Sequence, residues 1–157
     1  MRPNIRLLYD YWRSIGGGRA PERDRVDPAS IKNLLPYLML VEFTADPFRV
    51  RYRLTGTRVD EFTGINLTGR YLDEFCSGDG AVAVRHLEDA YRQCAASGQP
   101  YQGVYEWQTV SGYLRQIGFG LFPLSISGSI RQCLSIEDYT GITPDVRLST
   151  WAAPVAP

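Results

Sequence analysis

Histidine occurs once in the 157 residues, at His86, and cysteine three times, at Cys76, Cys94 and Cys133. A single imidazole excludes every site built from two or three of them, HExxH zinc chemistry included. Three widely spaced cysteines with no CxxC pair exclude a cysteine-based zinc ribbon, and their odd number does not fit a disulfide framework. No metal site is expected, and a reducing cytoplasm suits these thiols. Net charge is missing too, since 17 Lys+Arg balance 17 Asp+Glu and the pI is about 6.6. A chain held to DNA or RNA through many phosphate contacts carries a basic excess, so nucleic acid is not an expected partner. No uncharged apolar run approaches the ~18 residues of a membrane span. The first ten residues interrupt their apolar pairs with polar ones and offer neither an h-region nor a small-residue cleavage site. Also absent are GxGxxG, Walker A and GxSxG. Gly16-Gly17-Gly18 follows no strand and reads as a helix stop rather than a phosphate cradle.

What is present suffices for a core. Apolar residues make up 44% of the chain and aromatics 12%, and this length implies one domain burying roughly two-thirds of its unfolded surface. Residues 4–15 read as a helix through Ile5, Leu8, Tyr9, Trp12 and Ile15, with Leu7 and Tyr11 widening the apolar arc beyond one stripe. An arc this broad is satisfied either by burial within its own domain or by packing partly on a second copy, with Ile5, Leu8, Tyr11 and Trp12 as the contact residues. Asp27-Pro28 signals a short helix carrying Ile31, Leu34 and Leu35 and ending at Pro36.

Strands are predicted at 38–43 and 48–55. The second puts Phe48, Val50, Tyr52 and Leu54 on one face and Arg49, Arg51 and Arg53 on the other. Glycine-punctuated turns and helical pieces fill 57–80, and the longest helix runs over 81–96 to Gly98 and Pro100. Strands at about 101–110, 113–124 and 130–137 follow, with turns at Ser111-Gly112 and Ser127-Gly128-Ser129. Gly118 and Gly120 share one face of the middle strand, which suits close approach by another element. Residues 141–157 read as a flexible tail. The order predicts an α+β domain, a five-stranded antiparallel sheet with helices on one face, preceded by an N-terminal helical extension.

This order resembles a PAS domain. The stretch from Gly56, GT-x-x-x-x-x-x-G-x-x-LTG-x-x-L, is similar to the PAS core segment. Trp12-Arg13, the Gly18/Pro21/Arg23 loop, Asp27-Pro28, Leu35-Pro36, the arginine-rich strand ending in Gly56-Thr57, and Pro123-Leu124 resemble the small bacterial stand-alone PAS proteins. The likeness covers roughly residues 7–137 and divides the chain into an extension (1–36), a PAS domain (37–140) and the tail (141–157). It implies a non-catalytic sensory or interaction module of bacterial signalling that is homodimeric or docks a signalling partner, with a cavity for a small ligand. The competing reading is a small-molecule-binding or enzymatic α+β cone, which needs an acid–base pair inside its pocket.

Haem would need an axial ligand such as His86, which the helical wheel turns toward water. A LOV-type flavin photosensor carries Gly-x-Asn-Cys-Arg where this chain reads Gly64-Ile65-Asn66-Leu67-Thr68, so Leu67 stands in the place of the reactive thiol. Haem and a covalent flavin adduct are both disfavoured, leaving noncovalent flavin binding open. Cys94 reads as a small core residue. Glu88-Asp89 and Glu137-Asp138 read as solvated charges and supply no catalytic residue. The ligand cavity is expected where Phe62, Tyr91, Trp107, Ile117, Phe119 and Leu134 converge. Of the three strand arginines, Arg49 and Arg51 read as a solvated stripe and Arg53 as the one held structurally.

Overall fold

The computed structural model describes residues 1–108 and 112–142. Helix α1 spans Pro3–Gly16 and stops where Gly17 adopts a left-handed conformation, φ 62°. The helix expected after Asp27 is instead two separate 3-10 turns, Pro28–Ile31 and Leu35–Tyr37. Pro36 has no N–H with which to continue a hydrogen-bonded ladder from the first turn, and near the start of the second it needs none. Asp27 caps the first turn, its Oδ1 accepting the Ala29 N–H at 3.0 Å and its Oδ2 the Ser30 hydroxyl at 3.1 Å. Strands β1 (Leu38–Thr44) and β2 (Arg49–Thr55) form a hairpin, and helices α2 (Thr57–Thr63) and α3 (Ala81–Ser97) follow. Strands β3 (Tyr101–Gln108), β4 (Leu114–Ile126) and β5 (Ser129–Asp138) complete the fold. Of the predicted Ser111-Gly112 turn, Ser111 lies outside the described residues, as does all of the 141–157 tail beyond residue 142.

The sheet order is β2-β1-β5-β4-β3, and every neighbouring pair is antiparallel. Alternation along the strands gives two cores, one on each face. Met39, Val41, Val50, Tyr52, Tyr105, Trp107, Ile117, Phe119 and Cys133 pack under α2 and α3. Leu38, Leu40, Phe122, Leu124, Leu134 and Ile136 pack under α1 and the 3-10 turns. Helices α2 and α3 therefore cover one face, and the N-terminal extension covers the other.

Of the two ways to satisfy the broad arc of α1, that second core takes up its Ile5, Leu8 and Trp12 stripe within the chain's own domain. Ile5, Leu8 and Trp12 are at most 3% exposed against the chain's own sheet, each burial contributing roughly 1.5–3 kcal/mol. Trp12 Nε1 donates to the Pro123 carbonyl at 2.8 Å. The Tyr11 hydroxyl accepts the Asp27 N–H at 2.8 Å, tying it to the loop. The spacing 5, 8, 12 selects one stripe of the arc, and Leu7, off that stripe, stays 56% exposed.

Two glycines make this docking possible. A Cβ on Gly120 would lie 2.8 Å from Ile5 Cγ2, so the close approach expected on the glycine side of β4 is made by α1. A Cβ on Gly56 would collide with the Leu35 and Pro36 carbonyl oxygens, while its N–H donates to Leu38 O at 2.7 Å. This glycine is required by space, not by an unusual φ.

A bulge shifts the β1–β2 register between Leu40 and Val41: Val41 pairs with Tyr52 but Leu40 with Leu54. The extra residue, Arg53, reverses the alternation, so Leu54 leaves the Val50/Tyr52 face for the face of Leu40. The expected four-residue apolar face of β2 is thereby broken, and Leu54 ends 59% exposed.

Candidate functional site

Phe62, Tyr91, Trp107, Ile117 and Phe119 meet in the core beneath α2 and α3, all at most 3% exposed. Leu134 does not join them, because strand parity on β5 turns it to the opposite core with Ile136. The inward β5 positions are Cys133, Ser135 and Glu137. Tyr139 follows them in sequence, and its ring stacks on Phe62 with centroids 4.1 Å apart.

This parity brings a carboxylate inside, which overturns the reading of Glu137-Asp138 as solvated. Glu137 is 6% exposed and Asp138 1%. The Tyr139 hydroxyl donates to Glu137 Oε2 at 2.5 Å. The Tyr105 hydroxyl lies against the same carboxylate without the geometry of a full hydrogen bond. Among the described residues no ion pair reaches Glu137. Burial raises the Glu137 carboxyl above its ordinary value, and the hydrogen bond from Tyr139, with the Tyr105 hydroxyl close by, offsets this in part. The phenols of Tyr52, Tyr91, Tyr105 and Tyr139 are pushed well above the usual tyrosine range, chiefly by burial. Tyr91 and Ser135 share a hydroxyl–hydroxyl bond of 2.8 Å. The site is thus an interior acid held by neutral hydroxyls.

Tyr105 connects this interior to the surface. The residue, 3% exposed, is also among those lining a groove of about 330 Å³ at the open edge of the sheet, between the start of α3 and β3, with Val82, His86, Val104, Glu106 and Leu114. Val82, Leu114 and Val104 are 72%, 63% and 47% exposed. His86 is exposed, as its place on the wheel implies, and stands edge-on to Phe119 at 5.9 Å between centroids. One residue therefore has its hydroxyl beside Glu137 and its place in the lining of an open groove.

The residues supply neither an interior haem ligand nor a thiol for a covalent flavin adduct. His86 on the solvent side of α3 is no axial haem ligand for the interior. Leu67 is 1% exposed within the core, so no thiol stands there for a flavin adduct. Cys94 and Cys133 are both buried and free, and contact with Cys133 together with burial pushes the Cys94 thiol up, which leaves it unreactive. Among the described residues no group of three or more His, Cys, Asp or Glu is placed to hold a metal ion. None of the described helices is long and apolar enough to cross a membrane.

The arginine face also sorts differently from the expectation. Arg49 is the one held in place, its Nε and Nη2 gripping Asp73 at 2.6 and 2.8 Å and its guanidinium lying 3.7 Å above the Tyr71 ring. Arg51 meets Glu42 at 3.0 Å. Arg53, the bulge residue, has only a 3.4 Å contact to Glu42 with its side chain 51% exposed. The bulge lifts it out of the ladder that would have fixed it.

The PAS domain family matches residues 1–96, a span that includes α1, the hairpin, α2 and most of α3. Solved structures share the architecture at low identity. A light-oxygen-voltage domain studied with a flavin analogue is 12% identical with a TM-score of 0.52, over 79% of this chain and 86% of that one. The Rhodobacter sphaeroides LOV protein is 16% identical with a TM-score of 0.51, over 75% and 70%. VqmA of Vibrio cholera, solved with ligand and DNA, is 14% identical with a TM-score of 0.52 over 70% of this chain, which spans 48% of that protein. At these identities the likeness is one of fold. No curated protein matches the chain.

Proposed function

The chain belongs to the PAS domain family, and on that premise we propose that it is a non-catalytic sensory module of bacterial signal transduction that works in the cytoplasm. Its input is a small molecule, and its output a change in association with a signalling partner or a second copy of itself. The observation that carries the reading is the double position of Tyr105, which lines the α3/β3 groove and touches the buried Glu137 carboxylate. Val82, Val104 and Leu114 give the groove an apolar wall, and Glu106 gives it a hydrogen-bond acceptor at the rim. That set suits a small apolar molecule with one donor, such as a neutral aromatic heterocycle. A ligand in the groove presses on the Tyr105 ring, and the Phe119 and Trp107 rings packed against it extend the response into the core expected to be the ligand cavity.

The non-catalytic reading rests on the enclosure of Glu137. The cone alternative requires an acid–base pair presented to a substrate, whereas this acid is 6% exposed and already bonded to a phenol. Self-association has Leu7 and the outer flank of α1 to use, because Ile5, Leu8 and Trp12 are occupied by the chain's own sheet.

Native mass spectrometry of the full chain with indole as probe tests the ligand and the subunit count together. A one-to-one adduct on a dimer, lost in Val104→Asp, is the expected result. An adduct equally strong in the variant, or a monomer at all concentrations, would overturn the groove or the dimer respectively.

A further inference from the structure

On the opposite face of the sheet, a pocket of about 150 Å³ opens between the first 3-10 turn and the ends of β1, β2 and β5. Its wall is aliphatic, made by Val26, Ile31, Leu38, Leu40, Leu54 and Leu134. Leu54 is there only because the bulge at Arg53 reverses the alternation of β2, and it remains 59% exposed beside the opening. A leucine turned outward by a bulge, next to unfilled apolar space, marks a surface that gains from being covered.

One cation reaches this pocket. Arg23 is half-buried in its lining, and among the described residues its side chain has no hydrogen-bond or ion-pair partner. Its neighbours on the same loop are engaged. Glu22 accepts the Ser127 and Gly128 N–H groups at 3.0 and 2.8 Å, and Arg25 donates to Ile15 O at 2.9 Å. The Thr55 hydroxyl, the other polar side chain in the wall, is taken up by Asp60 at 2.6 Å. The loop backbone is anchored as well, Pro21 O accepting the Ser125 N–H at 2.9 Å. Arg23 is thus an uncommitted guanidinium on a fixed loop, beside an aliphatic pocket.

We propose that this pocket is a second, independent ligand site, and that it takes a small apolar carboxylic acid whose body fills the aliphatic wall while its carboxylate pairs with Arg23. Charge complementarity selects an anion, and the planar guanidinium fork suits a carboxylate. The volume sets the size, since an apolar cavity of roughly this order holds a benzene-sized body. The site is separate from the α3/β3 groove. It lies across the sheet, shares no residue with the groove, and does not depend on it.

The test uses the full chain with methyl groups labelled for NMR, titrated with benzoate and with its neutral isostere benzamide. Benzoate is expected to move the Leu54 and Leu134 methyls saturably and to leave Val82 and Val104 in place, with benzamide weaker by about tenfold. Arg23→Gln should abolish the preference for benzoate while keeping the unliganded spectrum and melting temperature. Leu134→Phe, which fills the pocket, should remove both ligands. Equal affinity of benzoate for wild type and Arg23→Gln, or shifts confined to the groove methyls, or no saturable shift at millimolar benzoate, would each overturn the proposal.

Discussion

Inside the core the Tyr139 phenol donates to Glu137 Oε2 at 2.5 Å, two residues apart on the last strand and its continuation, with no ion pair to the carboxylate among the described residues. Hydroxyls satisfy the hydrogen-bonding demand of the acid but do not balance its charge. Burial accordingly raises its protonation midpoint, and this group gives the stability of the fold a pH dependence.

The sign is fixed by the direction of that shift. A carboxyl whose folded value is raised contributes stability that is fully present below its ordinary 4.5 and is lost as pH rises through the folded value. Wild type is therefore expected to lose melting temperature relative to Glu137→Gln as pH is raised from 4.5 toward neutrality. Differential scanning fluorimetry of the pair across pH checks this. A constant gap between the two would mean that Glu137 is not perturbed.

Asp73 has the opposite sign. The hydrogen bond from Arg49 holds its carboxyl below the ordinary 3.8, so its contribution is present above that value and is lost as pH falls through the lowered one. Asp73→Asn should be less stable than wild type at neutral pH and approach it in strong acid. The difference should also shrink in high salt, since the pair is partly exposed.

The indole of Trp12 ties the N-terminal helix to Pro123, and its loss leaves a buried carbonyl without this donor. Trp12→Phe keeps most of the apolar surface and removes the hydrogen bond. A loss of about 1–3 kcal/mol in urea denaturation is expected, larger than for an exposed change such as Leu7→Ala on the same helix. Equal effects would mean that α1 is not anchored through this bond.

Gly120 tests the closeness of the same contact. Gly120→Ala brings a methyl to 2.8 Å from Ile5 Cγ2 and against Phe122, an overpacking expected to cost about 1–3 kcal/mol. The double variant Gly120→Ala/Ile5→Leu, which removes the Cγ2 branch, should recover part of it, a coupling read from a double-mutant cycle.

The strands were legible in the sequence because alternation and turn residues mark them, and the long helix because Gly98 and Pro100 close it. Membership of the interior was harder to read. Both faces of this sheet are covered, so apolar residues occur at every β5 position from Cys133 to Ile136 except Ser135, and composition does not reveal which parity points toward α3. From the sequence Leu134 reads one step out of phase for that reason, and Glu137, next to a second acid, reads as solvated. The bulge at Arg53 arises from pairing with β1 and leaves no mark within β2 itself, so neither the turning of Leu54 nor the release of Arg53 is visible there. The arc of α1 was ambiguous because Leu7 widens it, and the contacts of Trp12 and Ile5 with β4 resolve it.

The link from groove to interior acid through Tyr105 is tested most directly by NMR, following the Glu137 side-chain carboxyl carbon while the full chain is titrated with indole. The account predicts that this resonance and the Val82 and Val104 methyls shift together with a single dissociation constant, and that Tyr105→Leu keeps the methyl shifts but silences Glu137. Methyl shifts with an unmoved Glu137 in wild type, or no shift at the groove, would contradict it.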